Sequence, residues 1–210
     1  MGGVAAPRRL GRPPAIDAGD TRRRILDAAR RSFARVGFDA TTNKDVAAEA
    51  GVTAGAIYHY VPSKVDLFVA VYEDVQELVY GEFAAAMAAV EGFPARLLAA
   101  CDTAVALNRA DPSLAGFVAL VGTESARHPE LGARVAPLRH NAVSFFGRFV
   151  AEAVERGELA GSVDAEAVTD LVNAVLNGMV MLGVQTGDAD RHERAFRSLK
   201  LLLEGGLFRR

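Results

Sequence analysis

The 210-residue chain has no tryptophan, one cysteine, four histidines and three lysines against twenty-one arginines. A lone cysteine, Cys101, excludes an internal disulfide and suits the reducing cytoplasm. Four scattered histidines cannot build a zinc finger or ribbon. No run of about 18 apolar residues is present, so no membrane partner is expected. The Arg- and Pro-rich start lacks the apolar segment of a secretory signal. Runs of Val, Ile and Thr with period two are missing, so no sheet is expected. No Ser/His/Asp set, Gly-rich phosphate loop or close carboxylate pair stands out, so the chain does not read as an enzyme and no cofactor is expected. The scarcity of lysine is read as genome composition.

The formal net charge of −2 conceals an asymmetry: residues 1–62 carry ten basic and six acidic side chains, residues 63–210 fourteen and twenty. A basic first third on an acidic remainder points to a polyanionic partner for the first third alone, although a solvated charged face has the same composition. Residues 1–19, rich in Gly, Pro and Arg and without apolar periodicity, read as a flexible arm. Its Arg8, Arg9 and Arg12 can enter a narrow minor groove; a solubilising tail is the alternative.

The organising stretch is TNKDVAAEAGVTAGAIYHYVPSK, Thr42 to Lys64. Val46, Ala47 and Ala50 give a first short helix an apolar face. Gly51-Val52 makes a turn, and Thr53 can cap a second helix in which Ile57 and Tyr60 face inward. Ala47, Gly51 and Ile57 follow Asn43 by four, eight and fourteen residues. That is helix-turn-helix spacing: a small residue where the helices cross, Gly where the backbone turns left-handed, and a branched residue to lock the second helix.

Around it the periodicity is helical throughout. Residues 20–37 carry a stripe of Ile25, Leu26, Ala29, Phe33 and Val36, with Gly37 as a left-handed stop. Arg22, Arg23 and Arg24 at the start of this helix oppose its dipole, which a nearby phosphate would offset. Ser63 and Asp66 form a capping-box variant for a long helix striped by Leu67, Val71, Val75, Leu78, Phe83 and Met87 and running to Val90, with Gly81 as a kink point. Pro94 opens a helix to Ala110, and Asp111-Pro112 opens one to Arg127. Pro129 and Pro137 bracket a loop or short turn. A helix at 138–156 follows, with Val143, Phe146, Phe149, Val150 and Val154 apolar. Asp164 and Asp188 cap helices reaching Val184 and Glu204. The expectation is an all-α chain of about nine helices, divided into an arm (1–19), a helix-turn-helix domain (20–66) and a larger helical domain (67–210).

The segment TTNKDVAAEAGVTAGAIYHYVPSKVDLF, with Phe33…Gly37-Phe38 before it, resembles the TetR/AcrR family of bacterial transcriptional repressors. Departures are mild: Val61-Pro62 where Phe is more usual, and Asn43 where an aliphatic residue often sits. Tyr58 points outward and can donate its hydroxyl to a phosphate, the role the resemblance also implies. Lys64 adds charge at an anion-binding helix N-terminus, and Thr42 offers a hydroxyl at another. Thr53, Ala54, Gly55 and Ala56 are small, suited to lying deep in a major groove and meeting thymine methyls, with few hydrogen bonds to offer. Base reading then leans on Asn43, Lys44 and His59, Lys44 to a guanine being the leading candidate. Ordinary capping and solvated charge are the competing accounts.

The resemblance also implies a ligand cavity in the acidic two-thirds and a four-helix dimer interface from the last two helices of each subunit. Phe83, Met87, Cys101, Leu107, Phe117, Leu120, Val121, Phe145, Phe146, Phe149 and Met179 are the apolar candidates for the cavity, most of them expected to be core; Glu124, Arg127, His128, His140 and Asn141 are polar candidates for orienting a ligand. Glu124 and His128 lie one turn apart but lack a third ligand, so no metal is assigned. Cys101, among apolar neighbours, reads as packing. Leu171, Val175, Gly178, Leu182, Phe196, Leu199 and Leu203 are the candidates for the interface, with burial inside the monomer as the alternative. The sequence thus reads as a homodimeric DNA-binding repressor, released from a near-palindromic double-stranded operator by a small, largely apolar effector. A helical ligand-binding or interaction module that no longer binds DNA is the competing reading.

Overall fold

The computed structural model describes residues 18–208. The arm residues Arg8, Arg9 and Arg12 lie outside the described residues. Among the described residues there are nine α-helices and no strand: α1 (Ala18–Ala40), α2 (Asn43–Ala50), α3 (Ala54–Tyr60), α4 (Lys64–Ala88), α5 (Phe93–Ala110), α6 (Pro112–Arg127), α7 (Pro129–Glu155), α8 (Ala165–Thr186) and α9 (Ala189–Leu203). Side-chain caps set most of the starts. Thr42, Thr53, Ser63, Asp111, Asp164 and Asp188 each accept a backbone N–H from the first turn of the helix that follows, satisfying donors the helix cannot satisfy itself.

Two departures from the periodicity have clear causes. Helix α1 does not stop at Gly37 but kinks there, at φ 81° and ψ 179°, and resumes to Ala40. This region is almost closed to residues with a Cβ, and a Cβ at Gly37 would lie 3.1 Å from Glu124 Oε1. The second departure is at 129–137, which is the opening of the 27-residue α7 and not a loop. Pro137 cannot donate to the preceding turn, a cost of about 3 kcal/mol. Leu131 and Val135 are fully buried in this stretch, each contributing about 1.5–3 kcal/mol, enough to offset it. Gln76 Nε2 adds a 2.8 Å bond to the Leu138 carbonyl. Helix α4 runs through Gly81 without interruption. Val36, Leu78, Val143 and Val154, expected on apolar stripes, are exposed.

The buried side chains form two clusters. The first joins α1–α3 to the start of α4, to α6 and to the start of α7; the second joins the end of α4 to α5, α7, α8 and α9. The first does not respect a boundary at residue 66. Phe33 of α1, Phe68 of α4 and Phe117 of α6 are fully buried and mutually packed, with ring centroids 5.0, 4.8 and 6.1 Å apart. Arg30, also buried, reaches from α1 to Asp111 Oδ2 at 2.6 Å and Ser113 Oγ at 3.0 Å at the start of α6. Burial raises the Asp111 carboxyl, but the bonds from Ser113 and the Arg30 guanidinium outweigh it and hold the group below its ordinary value.

Phe117→Ala is expected to lower unfolding free energy by about 3–5 kcal/mol. Denaturant unfolding followed by circular dichroism should show one transition displaced as a whole. Loss of only the N-terminal helices would contradict a shared core.

Candidate functional site

The α2–α3 turn is built from both sides. Gly51 sits at φ 67°, and its N–H and that of Val52 return to the Ala48 and Ala47 carbonyls. Arg24 of α1 donates to the Ala50 and Gly51 carbonyls, so it clamps the end of α2. A Cβ on Gly51 would lie 2.8 Å from Arg24 Nη2. Glu49 accepts from Arg31 at 2.6 Å and pairs with Arg35 at 3.7 Å, tying α2 to α1 a second time. Ile57, fully buried, locks α3. None of the three arginine contacts is visible in apolar spacing. The run Arg22–Arg24 does not act as a unit: Arg23 pairs with Asp20, while Arg24 turns inward.

With the scaffold fixed, α3 presents a small outer surface. Thr53, Ala54 and Gly55 are exposed, Ala56 is half-buried, and nothing lies within 4 Å of a Cβ built on Gly55. Tyr58 is 57% exposed, and His59 of α3 and Lys44 of α2 are exposed as well. Asn43 is half-buried, with its Oδ1 facing no partner. Two of the expected phosphate ligands are engaged within the chain. Lys64 Nζ donates to the carbonyls of Asp39 (3.1 Å) and Thr41 (3.3 Å) and lies 4.6 Å from the Phe38 ring centroid, closing the end of α1. The Thr42 hydroxyl donates to Asp45 Oδ2 at 2.6 Å while accepting from Asp45 N. Tyr58 is left as the phenol free to reach outward.

A cavity of about 150 Å³ lies between α4, α5, α6, α7, α8 and α9. Of the residues expected to line it, Phe83, Leu107 and Phe146 do; Tyr80, Phe196 and His192 join them there. The others are held elsewhere, for separate reasons. Phe117, Leu120 and Val121 turn to the opposite side of α6, into the first cluster. Met87, Phe149 and Met179 pack in the second cluster, Phe149 stacked on Phe93 at 4.6 Å, and Phe145 stacks on Tyr80 at 5.0 Å. Glu124 is buried at the kink of α1: Oε1 accepts from the Phe38 N–H at 3.3 Å, and Oε2 lies 3.5 Å from His128 Nε2. His128 also faces Asp39 at 3.3 Å, and Arg127 lies 3.6 Å from the same carboxylate. These charges join α6 to α1, and no group of three or more His, Cys, Asp or Glu among the described residues is placed to hold a metal ion.

The α8 and α9 residues expected at an interface divide. Leu171 is 61% exposed; Leu203 and Gly178 are exposed; Val175 and Leu182 are half-buried. Phe196 is buried against His192, their rings 5.0 Å apart, and Leu199 packs on the second cluster. Met181, Val184, Leu201, Leu202, Leu207 and Phe208 extend the exposed apolar surface. Helix α8 is long and apolar enough to cross a membrane by length and composition. It is nevertheless interrupted by Asn173 and Asn177 and packed against α6, α7 and α9. Cys101 is buried, and desolvation, helped by Asp102, pushes its thiol up to about 12, which suits packing.

Two outcomes are expected from this geometry. Gly51→Ala should cost about 1–2 kcal/mol through its left-handed backbone alone, read as a lowered melting temperature. Burial holds His192 below its ordinary 6.5, against a bond to the Met179 backbone that raises it. The folded state therefore resists a proton that the unfolded state accepts, and stability should fall as pH drops below about 6.5. His192→Gln should flatten that part of the melting-temperature profile; an unchanged slope would place the titration elsewhere.

Comparison with known proteins agrees with this geometry. The model of bacterial regulatory proteins of the tetR family matches residues 25–71, and that of the tetracyclin repressor-like C-terminal domain matches residues 94–199. The transcriptional regulator UidR of Escherichia coli K12 is 22% identical over 189 residues, 90% of this chain and 94% of that protein. Salmonella enterica GusR superposes with a TM-score of 0.71 at 26% identity, over 92% of this chain and 98% of that one. The Bacillus subtilis transcriptional regulator FadR, solved in complex with stearoyl-CoA, superposes at 0.75 and 18% identity, over 89% and 100%. The chain belongs to the TetR family and is a DNA-binding transcriptional regulator with an N-terminal helix-turn-helix.

Proposed function

We propose that the protein is a cytoplasmic homodimeric repressor released from a near-palindromic operator by a small, largely apolar effector. The observation that carries this reading is the course of α4. Its first turns, Leu67 and Phe68, are buried against α1 and α6 beneath the helix-turn-helix. Its later turns, from Tyr72 to Phe83, line the cavity. Helix α6 runs in parallel: Leu114, Ala115 and Val118 line the cavity, while Asp111 and Glu124 hold α1. An effector that displaces either helix changes where α3 sits. Half-sites lie about 34–36 Å, one DNA turn, apart or a multiple of it. A shift from mostly bound to mostly released needs a differential affinity of about 5.5 kcal/mol.

On the DNA side, Tyr58 and Lys44 are assigned phosphate and base contacts. His59, Asn43 and the small face Thr53–Ala56 lie against the groove. Thr42 and Lys64 act mainly by holding α1 and α2 in register, each with residual capacity for a phosphate. The exposed apolar residues of α8 and α9, Leu171 and Leu203 among them, support pairing of two copies. Pairing buries what a monomer would leave open to water.

Tyr58→Phe should weaken binding to the DNA flanking the protein's own gene by several-fold at every salt concentration, as loss of one uncharged phosphate contact does. Lys44→Ala should lower the salt slope by about one if Lys44 contacts phosphate, and relax specificity at one base pair if it contacts a guanine. Unchanged affinity in both variants would remove the assigned surface. Light scattering should give a dimer at micromolar concentration, and Leu171→Glu with Leu203→Glu a monomer; a wild-type monomer would contradict the pairing.

A further inference from the structure

The cavity has a neighbour at the surface. A groove beside the contact of α5 with α9 is lined by Val105, Ala106 and Arg109 of α5 and by Glu193, Arg197 and Lys200 of α9. The same two helices also wall the cavity, through Ala104, Leu107 and Asn108 of α5 and His192 of α9. Among the described residues, Phe196 alone lines both spaces, and it is buried. This is also where the wall is held most lightly. Helix α9 buries only His192 and Phe196, and both belong to the cavity. Outside them, Arg109 ties α9 to α5 through Asp190 at 3.1 Å and Glu193 at 2.9 Å. Exposed ion pairs of this kind add little. Helices α4 and α6, by contrast, are embedded in the core shared with α1. Local opening favours the segment with the fewest buried apolar contacts, and among the walls of the cavity that segment is α9.

We propose that Phe196 is the gate of the cavity: a ligand enters along the seam between α5 and α9 when this ring swings out into the groove. The inference rests on the cavity being the effector site, and adds its entrance. Val105 and Ala106 line the groove and give the displaced ring an apolar surface, so it does not pass fully into water. An aromatic side chain moves between discrete rotamers, so the ring has distinct closed and open positions. Its departure also removes one of the two side chains that seat α9. The chain can turn at Gly187 and Asp188, which join α9 to α8. The exposed apolar residues assigned to pairing, Leu171 and Leu203 among them, are not groove residues, so this entrance is compatible with a dimer.

Thiol labelling of the full-length protein reads this route without a ligand or DNA. Cys101 is the chain's single cysteine and is buried. Cys101→Ala combined with Ala115→Cys moves the thiol to a buried cavity position on α6. The reagent is methyl methanethiosulfonate, small and uncharged, and mass spectrometry follows its uptake. In that background Phe196→Leu should speed labelling about tenfold or more. Arg109→Ala should speed it about two- to fivefold, and about 0.5 M NaCl should act in the same direction. Arg109→Ala, at an exposed position, carries the test if Phe196→Leu does not fold. Two controls loosen the same region away from the seam. Arg96→Ala removes an ion pair from α5 to Glu152 of α7, and Phe149→Leu thins the second cluster; both should leave the rate unchanged. Equal acceleration by the controls, no acceleration by Arg109→Ala or by folded Phe196→Leu, or a starting rate equal to that of an exposed thiol would overturn the gate. Fluorescence anisotropy of labelled operator DNA with the modified chain, whose thiomethyl group then occupies the cavity, separates the gate from the effector reading. Gated labelling with unchanged operator affinity would sustain the gate and count against the effector role.

Discussion

Phe33, Phe68 and Phe117 bring α1, α4 and α6 to one point, and the rest of the molecule is arranged around that contact. Helices α1–α3 bury too little surface to be firmly stable by themselves. Here they borrow a core from the helices behind them. The helix-turn-helix cannot tilt as a loose unit without opening an aromatic cluster packed to centroid distances near 5 Å. Packed cores respond to displacement by moving between discrete arrangements more readily than by continuous deformation. That property allows an event in the cavity to be felt at α3 as a change of position.

Polar contacts make the junction directional. Helix α6 is fastened to α1 at both ends: by Arg30 on Asp111 at its start, and by Glu124 on the Phe38 amide near its end. Between these ties, Leu114, Ala115 and Val118 face the cavity and Phe117 faces the shared core. A buried carboxylate such as Glu124 is costly unless its lone pairs are met. The kink at Gly37 meets half of this need by turning the Phe38 N–H toward Oε1; Oε2 has His128 Nε2 at 3.5 Å and no hydrogen bond. The same kink brings Asp39 beside His128 and Arg127. Cavity, junction and turn are thus connected through named side chains, and the proposed effector response requires no longer path.

Helix starts were legible in the sequence because capping is local: Thr53, Ser63, Asp111, Asp164 and Asp188 act within three residues of themselves. The turn was legible because Gly51 sits where a left-handed backbone is required. Long-range choices were not. Periodicity marks Phe117, Leu120 and Val121 as apolar but not which side of a doubly buried α6 they occupy, and they pack in the core, away from the cavity. Phe196 carries the spacing of an interface residue, yet the partner its face meets is His192 and the cavity. Pro129 and Pro137 signalled a break that burial of Leu131 and Val135 overrode. Lys64 looked like a phosphate ligand by its place at a helix N-terminus. Its engagement with the end of α1 depends on how α1 and α4 cross, which spacing does not encode.

The recognition helix itself has little to read with. Its exposed residues are Thr53, Ala54, Gly55, Tyr58 and His59, and α2 adds an exposed Lys44. Such a surface favours shape, methyl contacts and the spacing of two copies over dense hydrogen-bond readout. The proposed dimer on the proposed operator is therefore the central claim, and selection of bound sequences from a random double-stranded pool by the purified protein tests it most directly. The account predicts a two-fold symmetric consensus, with half-site centres about 10–10.5 base pairs apart or a multiple of that. Recovery of no enriched sequence, or of a single unrepeated half-site, would contradict it.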